Sequence, residues 1–192
     1  MGDDADDLIG TIHAMSKLTA DPTAILARIE REESKVEGDP MVYVLKGLAQ
    51  TSLKRYADAE ESFKKALKLN PRSPWANYRM GEMFFEQGKF KEAVEYFEKA
   101  CQINPKNSSF WVDKGLAEYE TNMFKKAFDS FEHAIQTGDK SGWGWYGKSR
   151  ILVILELLPE SLEAAKKAEK NNPNEEIFKE QKEYVLGRMS DA

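Results

Sequence analysis

The chain has 192 residues, and 28 Lys and Arg against 33 Asp and Glu give it a formal charge of −5, a length that fits one ordinary domain or one short array of repeats. A pI near 5.3 argues against the basic footprint of a nucleic-acid binder. One cysteine excludes an internal disulfide and suits a reducing compartment, and no apolar run approaches the ~20 residues of a membrane span.

The acidity is local, because residues 1–40 carry a net −6 and the remainder +1. The opening MGDDADD has neither the basic nor the apolar region of a secretory leader. Asp6 stands where an N-myristoylation motif requires Ser or Thr. The expectation is a soluble, cytoplasmic protein without nucleic-acid or membrane partners.

In chain order, residues 7–18 place Leu8, Ile12 and Met15 on one helical stripe. Asp21-Pro22 reads as an N-cap followed by Pro at the first helical position, opening a helix with Ile25, Leu26 and Ile29 inward. Asp39-Pro40 and Ser73-Pro74 open later helices in the same way. From there the chain repeats itself every 34 residues. Gly47, Gly81 and Gly115 share one column, as do Ala59, Ala93 and Ala127. Phe63, Phe97 and Phe131 form the next, with Ala66, Ala100, Ala134 and Ala168 behind them. Pro71, Pro105 and Pro173 close three repeats, and Thr137-Gly138-Asp139 closes the other with a Gly cap. Small residues fit where two backbones nearly touch, and aromatics such as Tyr56, Phe90 and Phe124 fill the space between paired helices.

These columns resemble the tetratricopeptide repeat (TPR): a small residue deep in a first helix, then Ala, Phe and Ala along a second, then Pro at the turn. The resemblance is specific over 40–139 and weaker over 142–174, where Ser149, Ser161 and Ala165 replace Gly, Ala and the aromatic. It implies an all-α fold, a right-handed α-α superhelix of antiparallel helix pairs. The expected layout is an acidic N-terminus with a degenerate pair at 1–39, then repeats at 40–73, 74–107, 108–141 and a divergent 142–174. A capping helix with Ile177, Phe178, Tyr184 and Val185 inward fills 175–192. In the degenerate pair His13 stands in the Gly column and Glu32 in the later Ala column, as suits a terminal repeat whose outer side meets water.

Catalysis needs a nucleophile with a base, or converging titratable groups. Cys101 takes the register position of Leu67 and Ile135 and reads as a core thiol, while His133 takes that of Lys65, Lys99 and Lys167 and reads as exposed. His13 has no Cys or His at metal-ligand spacing. No phosphate-binding Gly loop, zinc-protease motif or CxxC pair occurs. The expectation is no enzyme, no cofactor and no metal.

In TPR proteins the first helices line a concave groove at fixed offsets from the Gly column. Carried onto this sequence, those offsets give Met41, Val44 and Leu48 in the first repeat, then Trp75, Tyr78, Glu82 and Phe85 in the second. Val112, Leu116 and Tyr119 follow in the third, and Trp143, Tyr146 and Arg150 in the fourth. Thr51, Glu86, Ser109, Glu120, Val153 and Ile154 complete the rows. So aromatic a face marks a partner site, and its acidic fringe asks for a protein or peptide segment with apolar anchors and some basic residues. The Lys and Asn clamp by which some TPR domains grip the acidic tails of chaperones is not rebuilt: Val44, Leu48, Arg79, Ser109 and Asp113 occupy its positions. The reading is a protein-binding adaptor. The alternative is a structural subunit or homodimer whose groove is filled by its own N-terminal helix or by a second copy.

Overall fold

The computed structural model describes residues 21–36 and 38–191, and the described residues form ten helices and no strand. These are α1 (Pro22–Val36), α2 (Pro40–Ser52), α3 (Tyr56–Leu69), α4 (Pro74–Glu86) and α5 (Phe90–Ile103), then α6 (Ser108–Glu120), α7 (Phe124–Gln136), α8 (Trp143–Ile154), α9 (Leu158–Asn171) and α10 (Glu176–Ser190). The stripe expected over 7–18, with His13, lies outside the described residues.

First helices start on side-chain caps. The Asp39 carboxylate accepts from the Met41 N–H at 2.7 Å, the Ser73 hydroxyl from Ala76 at 3.2 Å and the Asn107 amide oxygen from Ser109 at 3.0 Å. Each satisfies a backbone donor that the helix leaves orphaned. For α8 the cap comes from further back, Asp139 accepting from the N–H groups of Ser141 and Gly144, both at 2.9 Å.

The second helices of the four repeats, α3, α5, α7 and α9, start differently. Each follows a residue in the left-handed backbone region, and these residues fall one period apart: Lys54 (φ 59°), Gly88 (φ 72°), Asn122 (φ 60°) and Glu156 (φ 58°). A Cβ in that region costs on the order of 1 kcal/mol, and only Gly88 avoids it. The Glu156→Gly variant is therefore expected to stabilise the fold by about 0.5–1 kcal/mol, read as a higher denaturation midpoint at unchanged slope. An unchanged midpoint would mean that the turn carries no strain.

The repeat columns are the core. Ala59, Phe63 and Ala66, their counterparts in the next two repeats, and Ala168 are all buried. A Cβ built on Gly47 would lie 2.5 Å from the Phe63 ring, and one on Gly115 2.7 Å from the Phe131 ring; hydrogen is the substituent those rings permit. Repeat four departs from this pattern coherently. With Ala165 in place of the aromatic, the Gly column has room for Ser149, whose hydroxyl lies 2.9 Å from that of Ser161 in the Ala column. Ser161 also donates to the Ser149 carbonyl, and Gln181 of α10 donates to the Ser149 hydroxyl at 3.0 Å. The buried hydroxyls are thus satisfied, as burial demands.

The helices divide into two compact units, residues up to Gly88 and residues from Lys89 onward, so the division falls inside the expected second repeat. In the first unit Ile25, Leu26 and Ile29 of α1 pack with Val42, Leu45 and Ala49 of α2. In the second, α10 seals the end: Phe178 is wholly buried against Tyr146, Trp143 and Ala168, and Val185 is wholly buried as well. One expectation is corrected here. Tyr184 is not inward but 52% exposed, because Val185, one residue and about 100° further round the helix, takes the inward position.

Cys101 is fully buried, and burial pushes its thiol up to about 12, so it stays neutral and unreactive. His133 is exposed and stacks on Trp111 with ring centres 4.6 Å apart.

Candidate functional site

In the N-terminal unit α4 displays Trp75, Tyr78, Arg79 and Glu82 at spacings of three, four and seven residues, which is one helical face. Trp75 is 42% exposed and stands edge-on to Tyr78, ring centres 5.9 Å apart at 82°. The Arg79 guanidinium lies 5.7 Å from the Trp75 ring centre and 5.4 Å from that of Tyr78, and pairs with Glu82 at 2.8 Å. Burial raises the pKa of Glu86, one turn on, with the Glu82 charge adding to it and Lys54 opposing. Two carboxylates crowded this way favour a cation beside them.

The C-terminal unit repeats the aromatic pair two periods on. Trp143 stands edge-on to Tyr146, centres 5.4 Å apart at 86°. Here the indole is half-buried, because Phe178 of α10 lies 5.2 Å from it. The Arg150 guanidinium sits 4.0 Å from the Tyr119 ring centre and 5.7 Å from that of Tyr146. Burial raises the Tyr146 hydroxyl, with Arg150 opposing.

On the opposite stripe of α8, Trp145, Lys148 and Leu152 border an open cleft of about 590 Å³, with Phe128, Pro159 and Lys167. The N-terminal unit has a cleft of about 270 Å³ in the same register, at Tyr43, Lys46, Gln50 and Lys65. Both clefts mix Lys with Glu or Asp, so neither carries one sign of charge. Among the described residues no group of three or more His, Cys, Asp or Glu could hold a metal ion, and no helix is long and apolar enough to cross a membrane.

A family model described as tetratricopeptide repeat matches residues 44–108, and the helix pairs on both sides of that stretch share its period. Residues 44–108 are tetratricopeptide repeat sequence. Solved structures agree on the TPR fold. PilF of Pseudomonas aeruginosa superposes with a TM-score of 0.86 at 14% identity, over 98% of this chain and 86% of that one. YrrB, titled a TPR protein with an unusual peptide-binding site, gives 0.73 at 18% identity over 93% and 92%. MamA from Desulfovibrio magneticus RS-1 gives 0.75 at 20% over 91% and 98%. A search of the curated proteins finds no match.

The residues placed by TPR offsets divide by depth. Met41 and Trp75 are exposed; Leu48, Glu82, Phe85, Leu116, Tyr119, Trp143 and Arg150 are half-buried; Val44, Tyr78, Val112 and Tyr146 are buried. The structure brings Trp75, Tyr78 and Glu82 together in one unit, and Tyr119, Trp143, Tyr146 and Arg150 in the other. Offset counting misses three participants: Arg79 on the Trp75–Tyr78 pair, Phe178 over Trp143, and α10 as a further first helix. The last was readable, since Tyr184 falls one period after Arg150. Its hydroxyl lies 3.3 Å from a guanidinium nitrogen of Arg188.

Proposed function

We propose that this protein is a non-catalytic interaction module, holding an apolar- or aromatic-anchored segment of another protein against the inner faces of its first helices. The exposed indole of Trp75, held edge-on by Tyr78 under Arg79, carries the reading. A large ring presented to water on a rigid helix is what a partner buries as a hot spot. Glu82, two turns along the same face, and Glu86, one turn beyond it, favour a segment that also brings Lys or Arg.

The test is a quantitative pull-down comparing wild type with Trp75→Ala, both confirmed folded by circular dichroism. Trp75 is the ring to remove because its exposure lets it go without a cavity, whereas truncating buried Tyr78 or Tyr146 confounds binding with stability. Partners retained by wild type and lost by the variant support the module. Identical partner sets overturn a role for this face.

A further inference from the structure

We infer that the inner face of the C-terminal unit binds a carboxylate of the partner segment on the Arg150 guanidinium, held ready by Tyr119 and Tyr146. This rests on the module reading above and adds the partner's chemistry at one position.

The observation is an exception among the unit's cations. Between residues 89 and 191 the half-buried cations are Lys114, Lys148, Arg150, Lys179 and Lys182. Lys114 pairs with Glu98 at 2.5 Å, Lys148 with Glu132, Lys179 with Glu176 at 3.0 Å and Lys182 with Glu169 at 2.7 Å. Arg150 has no carboxylate and no hydrogen bond among the described residues; its contacts are the faces of Tyr119 and Tyr146.

Partial burial of a cation is offset elsewhere in this unit by a carboxylate, and here, among the described residues, by ring faces alone. Ring faces engage the flat side of a guanidinium. They leave its N–H edge, the fork that fits a carboxylate with two parallel hydrogen bonds, without an acceptor among the described residues. Contact with two rings also restricts the guanidinium, so less freedom is lost when an anion docks. Glu120 follows Tyr119 in sequence, and the Glu180 charge reaches the Tyr146 hydroxyl; both are exposed. These flanking acids demand that the partner's charge be a single carboxylate beside apolar side chains, not an acidic run.

Two sources supply that group: an Asp or Glu side chain, or the end of a chain. The experiment separates them. A random twelve-residue peptide library is selected against the whole protein in two formats, one with free carboxyl termini and one tethered through the C-terminus. Wild type, Arg150→Gln, Arg150→Lys, Tyr119→Leu and Trp75→Ala are compared, each matched to wild type by thermal melt. The expected result is wild-type binders with an acid at a fixed distance from an aromatic or aliphatic residue, weakened roughly 10- to 100-fold by Arg150→Gln. Arg150→Lys and Tyr119→Leu should fall between, since the first loses the fork and the second its platform. Enrichment confined to free-terminus peptides assigns the chain end, and enrichment in both formats assigns the side chain. Binders that Trp75→Ala weakens but that carry no acid preference, or are indifferent to Arg150→Gln, leave the module standing and overturn the Arg150 assignment. No enrichment in either format overturns both.

Discussion

The Gly147→Val variant is expected to lose the fold of the C-terminal unit. The Phe131 ring is fully buried between two glycines, Gly115 of its own first helix and Gly147 of the next. A Cβ on Gly115 would stand 2.7 Å from that ring, and one on Gly147 would press on it still closer. The ring has nowhere to go, since Ala127 and Ile151 pack around it with Leu116, Tyr119, Phe124 and Phe128. Overpacking a closed core by small increments costs about 1–3 kcal/mol. Three added carbons on a β-branched side chain go beyond that, to roughly 3 kcal/mol or more. Urea denaturation followed by tryptophan fluorescence reads the effect, because Trp111, Trp143 and Trp145 all lie in this unit. The control is Gly187→Val, where an added Cβ meets nothing within 4 Å. Equal midpoints for the two variants would refute the close approach.

Periodicity made the architecture legible because each column records one repeated packing problem. Gly, Ala and Phe recur where backbones touch and where the gap must be filled, so helix pairing follows from spacing alone. It did not locate Gly147. The Gly column meets the ring of its own pair, as Gly115 meets Phe131. Gly147 instead lies two residues before the fourth repeat's column position, Ser149, and reaches Phe131 from the next first helix. Nor could column matching anticipate that Ser149, Ser161 and Ala165 depart together, since only their contact in space shows each substitution permitting the others. The left-handed column was hidden for another reason: Lys54, Asn122 and Glu156 share a backbone angle and no side-chain chemistry, and only Gly88 betrays it.

The candidate face was legible in direction and not in depth. An offset says which side chains share a helix face, and Trp75 meets Tyr78 on α4 as Trp143 meets Tyr146 on α8. How much of each remains in water depends on what else reaches it. Phe178 of α10 half-covers Trp143, whereas Trp75 stands 42% exposed. Arg79 and Arg150 acquire their roles from rings on their own and neighbouring helices, which a count along one helix does not register.

Glu118→Gln is expected to stabilise the protein at neutral pH. Glu118 is 1% exposed, accepts a 2.6 Å hydrogen bond from the Ser130 hydroxyl, and has the Lys114 ammonium at 3.6 Å. Burial raises its carboxyl above the usual range, against the Ser130 hydrogen bond and the Lys114 charge, which favour the ionised form. A folded-state value above the unfolded one means that ionisation costs folding energy. Its contribution to stability is therefore full below the unfolded value of about 4.3 and is lost as pH rises through the folded value. An amide never ionises and escapes that loss. The chain already contains the alternative two periods earlier, where Gln50 accepts from the Ser62 hydroxyl at 2.7 Å with Lys46 in the lysine's register position. Lys114 keeps Glu98 at 2.5 Å in the variant, so no cation is stranded. The gain is on the order of 1–2 kcal/mol at pH 7 and shrinks toward zero as pH falls to about 4. Paired melts across that range measure it. A variant less stable than wild type at pH 7 would mean that the Lys114 attraction outweighs the cost of burying the charge, and that this carboxylate holds its helix pair together instead of straining it.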